Sequence, residues 1–176
     1  MPNYCSNNVT FTHDDPAMIQ RVVDAYNADR LFREFFPCPV ELAEASSPND
    51  KNPDEMIAKY DAPDWYAWCV NNWGTKWDVA SVDEVAAEGN SVTVYFDSAW
   101  SPPLEFYINM EDQLGFRIKA YYWEPAMQFC GIFEDGQNKP YDIKGDSAWV
   151  RENIPSELDE MFSISDSMEE WAADNK

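Results

Sequence analysis

At 176 residues the chain is long enough for one domain with a real core and too short for two full ones. Thirty-three Asp and Glu against twelve Lys and Arg give a formal charge of −21, yet 45% of the chain is hydrophobic and 15% aromatic, which excludes a disordered acidic tail. So negative a chain repels phosphate, which excludes direct nucleic-acid binding outside a local basic patch. No basic leader or run of eighteen apolar residues marks a signal peptide or membrane span, so a soluble, cytoplasmic chain is expected.

In residues 5–11, Cys5, Val9 and Phe11 alternate with Ser6, Asn8 and Thr10, the pattern of a half-buried strand. Asp15-Pro16 starts a helix with Ile19, Val22, Val23 and Tyr26 on one face, fading over residues 30–36. Five prolines, from Pro37 to Pro63, punctuate the next stretch, and residues 46–52 are its most loop-like part, so an insertion is expected at about 37–78. Asp64 can cap a short helix carrying Trp65, Trp68, Cys69, Asn72 and Trp73, stopped by Gly74.

A strand is expected over 79–85, turned at Gly89-Asn90 into an antiparallel partner over 92–96. Ser101-Pro102-Pro103 opens a second helix, with Leu104, Ile108 and Leu114 facing inward and Gly115 ending it. Residues 116–123 read as a strand with Phe116, Ile118 and Ala120 on one side and Arg117, Lys119 and Tyr121 on the other. A further strand over 128–134 closes at Asp135-Gly136 and extends the sheet at an edge. The order predicts an α+β, ferredoxin-like split βαβ fold with an antiparallel sheet and helices on one face. Residues 1–146 would form that domain and 147–176 an acidic helical C-terminal extension.

Four segments resemble the YubB-like family of plasmid and phage proteins. They are Met1-Pro2-Asn3-Tyr4-Cys5-Ser6-Asn7; Asp64 to Cys69 continuing through Asn72-Trp73-Gly74-Thr75-Lys76-Trp77-Asp78; Ala99-Trp100-Ser101-Pro102-Pro103; and Tyr122-Trp123-Glu124-Pro125 through Gly131. The resemblance covers about residues 1–135 and implies a ferredoxin-like domain and a mobile-element origin, with no established activity. The chain departs from it at Ala126, where glycine is expected, and in its long acidic C-terminal part.

Chemistry has few carriers here. Cys5, Cys38, Cys69 and Cys130 form no C-x-x-C pair and read as reduced, mostly buried thiols; the lone His13, beside Asp14 and Asp15, reads as a loop residue. No calcium loop, P-loop or dinucleotide fingerprint occurs, so neither a cofactor nor a metal is expected. Trp65, Trp68, Asn72, Trp73, Lys76, Trp77 and Asp78 could form a pocket in which indoles stack on a ring and polar groups bind its edge. The same spacing more often describes a packed core, which is the favoured reading.

The distribution of charge says more. No Lys or Arg lies between Lys76 and Arg117, and after Tyr141 ten acidic residues face only Lys144, Arg151 and Lys176. Helical spacing sets carboxylates ~4.5–6 Å apart, a line resembling phosphates. Asp83, Glu84, Glu88, Glu105, Glu111, Asp112, Glu157, Asp159, Glu160, Glu169 and Glu170 are therefore the expected contacts of a basic, nucleic-acid-binding host protein, with solubility alone as the competing account. The expected protein is non-enzymatic and inhibits a nucleic-acid-binding or defence protein by nucleic-acid mimicry. The alternatives are a small-molecule or nucleotide-processing enzyme at Trp65 to Asp78, and a self-associating module whose aromatic C-terminal helices form a homodimer.

Overall fold

A computed structural model describes residues 3–174; Met1, Pro2, Asn175 and Lys176 lie outside the described residues. The elements run β1 (Tyr4–Thr12), α1 (Pro16–Asn27), α2 (Leu31–Phe35), α3 (Val40–Ala43), α4 (Pro53–Tyr60), α5 (Trp65–Trp73), β2 (Ser91–Ala99), α6 (Leu104–Leu114), β3 (Arg117–Glu124), β4 (Phe129–Glu134), β5 (Gln137–Asp142), α7 (Ser147–Asn153), α8 (Ser156–Phe162) and α9 (Ile164–Asp174). Every strand pairing is antiparallel and the sheet order is β2-β1-β3-β4-β5. β1 lies between two strands that follow it in sequence, the split arrangement the sequence implies.

The alternation of β1 buries Cys5, Asn7, Val9 and Phe11 on one face. There they meet Val92, Val94, Phe96, Ile118, Ala120 and Phe133 from the other strands and Ile19, Val22, Val23 and Tyr26 from α1. Asp15 caps α1 by accepting from the Ala17 amide at 2.9 Å, with Pro16 at the first helical position. α6 is turned further than its aliphatic spacing suggests. Phe106, Tyr107 and Met110 are fully buried, while Leu104, Ile108 and Leu114 stay half-buried, because the Phe106 ring fills the gap among Phe11, Phe32, Phe35 and Phe36.

The expected strand over 79–85 does not form. Its apolar residues Val79, Val82 and Val85 recur at three, not two, and the end of α1 holds the segment as a loop. Asn27 both donates to the Val85 carbonyl and accepts from its amide, each at 3.0 Å, while Asp29 accepts from the Ser81 amide and hydroxyl, each at 2.7 Å. Of the expected hairpin only the Glu88–Ser91 bridge remains, and β2 pairs with β1 instead. β5, unforeseen because its mostly polar residues show no alternation, follows β4 through the Asp135-Gly136 turn, where both residues have positive φ.

The expected layer of helices covers one face of the sheet, and the C-terminal segment adds a second layer on the other. Val150, Ile154, Leu158 and Ile164 from the α7–α9 region pack over Cys130 and Ile132 of β4, with Tyr121, Trp123 and Tyr141 alongside. On the second face of β1, Asn8 is buried and donates to the Met161 sulfur of α8, while Thr93, Tyr95 and Asp97 of β2 stay exposed.

Candidate functional site

Asp64 starts α5 by accepting from the Ala67 amide at 3.0 Å, and Gly74 ends it at φ +83°. Gly74 is needed for a second reason: a Cβ there would stand 3.0 Å from the Leu104 amide nitrogen. The turn after it is nailed to β2, with the Thr75 hydroxyl donating to the Ala99 carbonyl and Ser101 donating to the Gly74 carbonyl. This brings Lys76 between two indoles, its Nζ 3.8 Å from the Trp77 ring and 4.1 Å from the Trp100 ring.

Trp65, Trp73, Lys76, Trp77 and Asp78 line an open groove of about 520 Å³ with Cys38 and Cys69. Trp68 and Asn72 lie outside it. Trp68 packs edge-on against Trp73, and the Asn72 side-chain amide returns to the Trp68 carbonyl within the helix. Trp73 is buried, its indole N–H donating to the Phe36 carbonyl at 2.9 Å. Asp78 is fully engaged. One oxygen accepts from the Phe32 and Val79 amides and the other from the Arg33 amide and guanidinium, so this carboxylate caps α2 from a distant segment. Burial pushes the Cys69 thiol up to about 12 and raises Cys38 as well, so neither groove sulfur is a ready thiolate. The groove can hold a small apolar or aromatic group, and its polar groups already have partners in the protein.

The acidic residues divide in two. Glu111 accepts from the Ile118 amide at 2.9 Å, and burial raises its carboxyl above the usual range. Asp159 accepts from the Ser165 amide and hydroxyl at the start of α9, Glu157 accepts from the Tyr121 hydroxyl, and Glu169 pairs with Arg151. Asp83, Glu84, Glu88, Glu105, Asp112, Glu160 and Glu170 are exposed and meet no cation among the described residues. The arginines, by contrast, are taken up at home: Arg21 and Arg30 by Glu34, Arg33 by Asp78, Arg117 by Asp14, and Arg151 by Asp166 and Glu169.

Two further features have no sequence signal. A cleft of about 790 Å³ opens between α9 and the end of β3, lined by Trp123, Gln128, Ile143, Ile164 and Met168 among others; only the packing of the C-terminal helices creates it. Glu124, read in sequence only as part of a motif, is fully buried. One of its oxygens accepts from the Met127 amide and the other has no partner. Burial, and then the nearby Glu124 carboxylate, push the Cys5 thiol up. His13 is structural: its Nε2 donates to the Leu114 carbonyl at 3.0 Å and its Nδ1 accepts from the Asp15 amide at 2.9 Å. Among the described residues no three His, Cys, Asp or Glu gather to hold a metal ion, and no helix is long and apolar enough to cross a membrane.

Residues 72–167 match the family model described as the ferredoxin-like domain in Api92-like protein. The chain belongs to this Api92-like family. The matched span runs from the end of α5 through β2, β3, β4 and β5 and on into α9, and leaves out β1. No curated protein matches the chain. Among solved structures it is similar to the crystal structure of a protein Api92 from Yersinia pseudotuberculosis, at 8% identity and a TM-score of 0.42, over 82% of this chain and 99% of that one.

Proposed function

We propose that this Api92-like chain is a non-enzymatic, acidic binding protein of a plasmid or phage, acting in the host cytoplasm. Its exposed carboxylates dock on a basic, nucleic-acid-binding host protein, such as a defence complex, and occupy the groove that protein uses for phosphates. The observation that carries this reading is the asymmetry of pairing: the arginines are neutralised by the protein's own carboxylates, while Asp83, Glu84, Glu88, Glu105, Asp112, Glu160 and Glu170 point outward unpaired. A surface so arranged attracts cations and offers phosphate little, and its association is fast and salt-sensitive, since screening sets in over ~8 Å at physiological ionic strength.

A binding role, as opposed to an enzymatic one at Trp65 to Asp78, is supported by the full engagement of Asp78 and the raised thiols of Cys38 and Cys69. The test is a pull-down from host lysate at low and high salt, followed by competition of each recovered protein against labelled duplex DNA. A salt-sensitive basic partner that releases its DNA as this chain is added is the expected result. Recovery of no basic protein at low salt overturns the proposal and leaves the charge as a matter of solubility.

A further inference from the structure

The cleft between α9 and the end of β3 is walled by segments that are tied to one another, so it is formed before anything enters it. The Ser147 hydroxyl of α7 donates to Glu169 of α9 at 3.1 Å, and Arg151 of α7 bonds Glu169 and, at 2.9 Å, Asp166. The Ile143 amide donates to the Gln128 carbonyl at 2.7 Å, fixing the end of β5 to the start of β4 where both line the cleft. A volume of about 790 Å³ suits a small organic molecule and is far more than one water needs. Trp123, Ile143, Ile164, Met168 and Trp171 make the lining mostly apolar, and Trp171 is 70% exposed.

The polar groups of the cleft decide the charge of its ligand. Asp146 commits one oxygen to the Trp149 amide as the cap of α7, and its other oxygen has no partner among the described residues; nor have the Ser167 hydroxyl and the Gln128 side-chain amide. The second carboxylate, Glu169, is held below the usual range by its bonds from Arg151 and then Ser147. No Lys or Arg lines the cleft. An anion would meet Asp146 and Glu169 unbalanced, and a second copy of the chain would bring another charge of −21. An apolar body, by contrast, fits the indoles and aliphatic side chains, and a protonated amine fits the open carboxylate oxygen. We infer that this cleft binds an apolar organic monocation of the arylalkylamine class, its ring against Trp123, Ile164 and Met168 and its ammonium at Asp146. The site goes beyond the docking role of the exposed carboxylates and does not depend on it.

The probes are phenethylamine; hydrocinnamate, which has a similar ring and reach and the opposite charge; and propylamine, which has the charge without the ring. Titrated into the full chain and followed by nuclear magnetic resonance, phenethylamine should shift the indole N–H signals of Trp123 and Trp171 and bind about tenfold more tightly than either of the others. Asp146→Asn keeps an acceptor to cap α7 while removing the charge, and should weaken phenethylamine about tenfold. Ala172→Phe, at an exposed position of α9 that lines the cleft, should weaken it by a similar factor by filling the space, and is the second variant should the first disturb α7. Equal binding of phenethylamine and hydrocinnamate overturns the inference, because the carboxylates then select nothing. Equal binding of phenethylamine and propylamine overturns it as well, because only diffuse attraction to a chain of charge −21 is then at work. So do an absence of binding and shifts confined to indoles away from the cleft. Each of these outcomes leaves acidic docking standing.

Discussion

The Tyr26 hydroxyl stands between the Tyr95 carbonyl on the edge of β2 and the Val82 amide, donating to the first and accepting from the second at 3.2 Å. It takes the place of the hydrogen bond by which Val82 would have joined the sheet. Tyr26 is 1% exposed, so Tyr26→Phe would leave the Tyr95 carbonyl and the Val82 amide to find water or go unpaired. A loss of about 1–3 kcal/mol is expected in chemical denaturation, with faster amide exchange at Val82.

Asp29 gives the same loop a pH dependence. The Ser81 amide and hydroxyl that it accepts hold its carboxyl below the usual range. A carboxyl depressed in the folded state stabilises above its unfolded pKa, and that stabilisation is lost as pH falls through the lower folded value. The 79–85 loop should therefore loosen in acid before the sheet does. Exchange at Ser81 measured from neutral pH down to about pH 3 should accelerate once Asp29 protonates, beyond the intrinsic trend, and Asp29→Ala, which removes the accepting oxygen, should show the loosened loop already at neutral pH.

Asp78 supplies the amides of α2 with their acceptor from 45 residues away. Asp78→Ala should cost about 1–2 kcal/mol, the usual worth of a lost helix cap, with Asp78→Asn milder because one oxygen remains. Thermal unfolding measures both. Were the groove a catalytic site instead, Asp78→Asn would abolish an activity while leaving stability nearly intact.

Gly131 is where β4 passes beneath the Tyr122 ring. A Cβ there would fall within the Tyr122 hydroxyl end and 2.8 Å from the Lys139 carbonyl, which belongs to the backbone of β5 and cannot easily yield. Gly131→Ala should therefore destabilise by about 1–3 kcal/mol as an overpacked site, and should break the bond from the Tyr122 hydroxyl to Asn138, a change visible in near-ultraviolet circular dichroism.

The split βαβ core was legible because its signals are local and strong. Asp15-Pro16, Asp64, Gly74 and Gly115 start and stop helices where their chemistry requires, and the alternation of Val9 and Phe11 or of Ile118 and Ala120 marks buried strand faces. The loop over 79–85 was not legible, because side chains of Asn27 and Asp29, some 50 residues away, decide it. Nor was β5, whose polar residues carry no periodic signal. In the candidate site, the indoles and Lys76 were visible as a cluster, whereas the commitment of Asp78 to α2 and the dispersal of Glu111 and Asp159 into structural bonds depend wholly on tertiary contacts.

The grip of Trp77 and Trp100 on Lys76 joins the loop after α5 to the loop after β2. At about 4 Å the ammonium is well inside one screening length of both rings, so added salt weakens this clasp far less than it weakens attraction between exposed charges on separate molecules. Ionic strength that detaches a cationic partner should thus leave the end of β2 in shape, and the protein should rebind without refolding when the salt is removed.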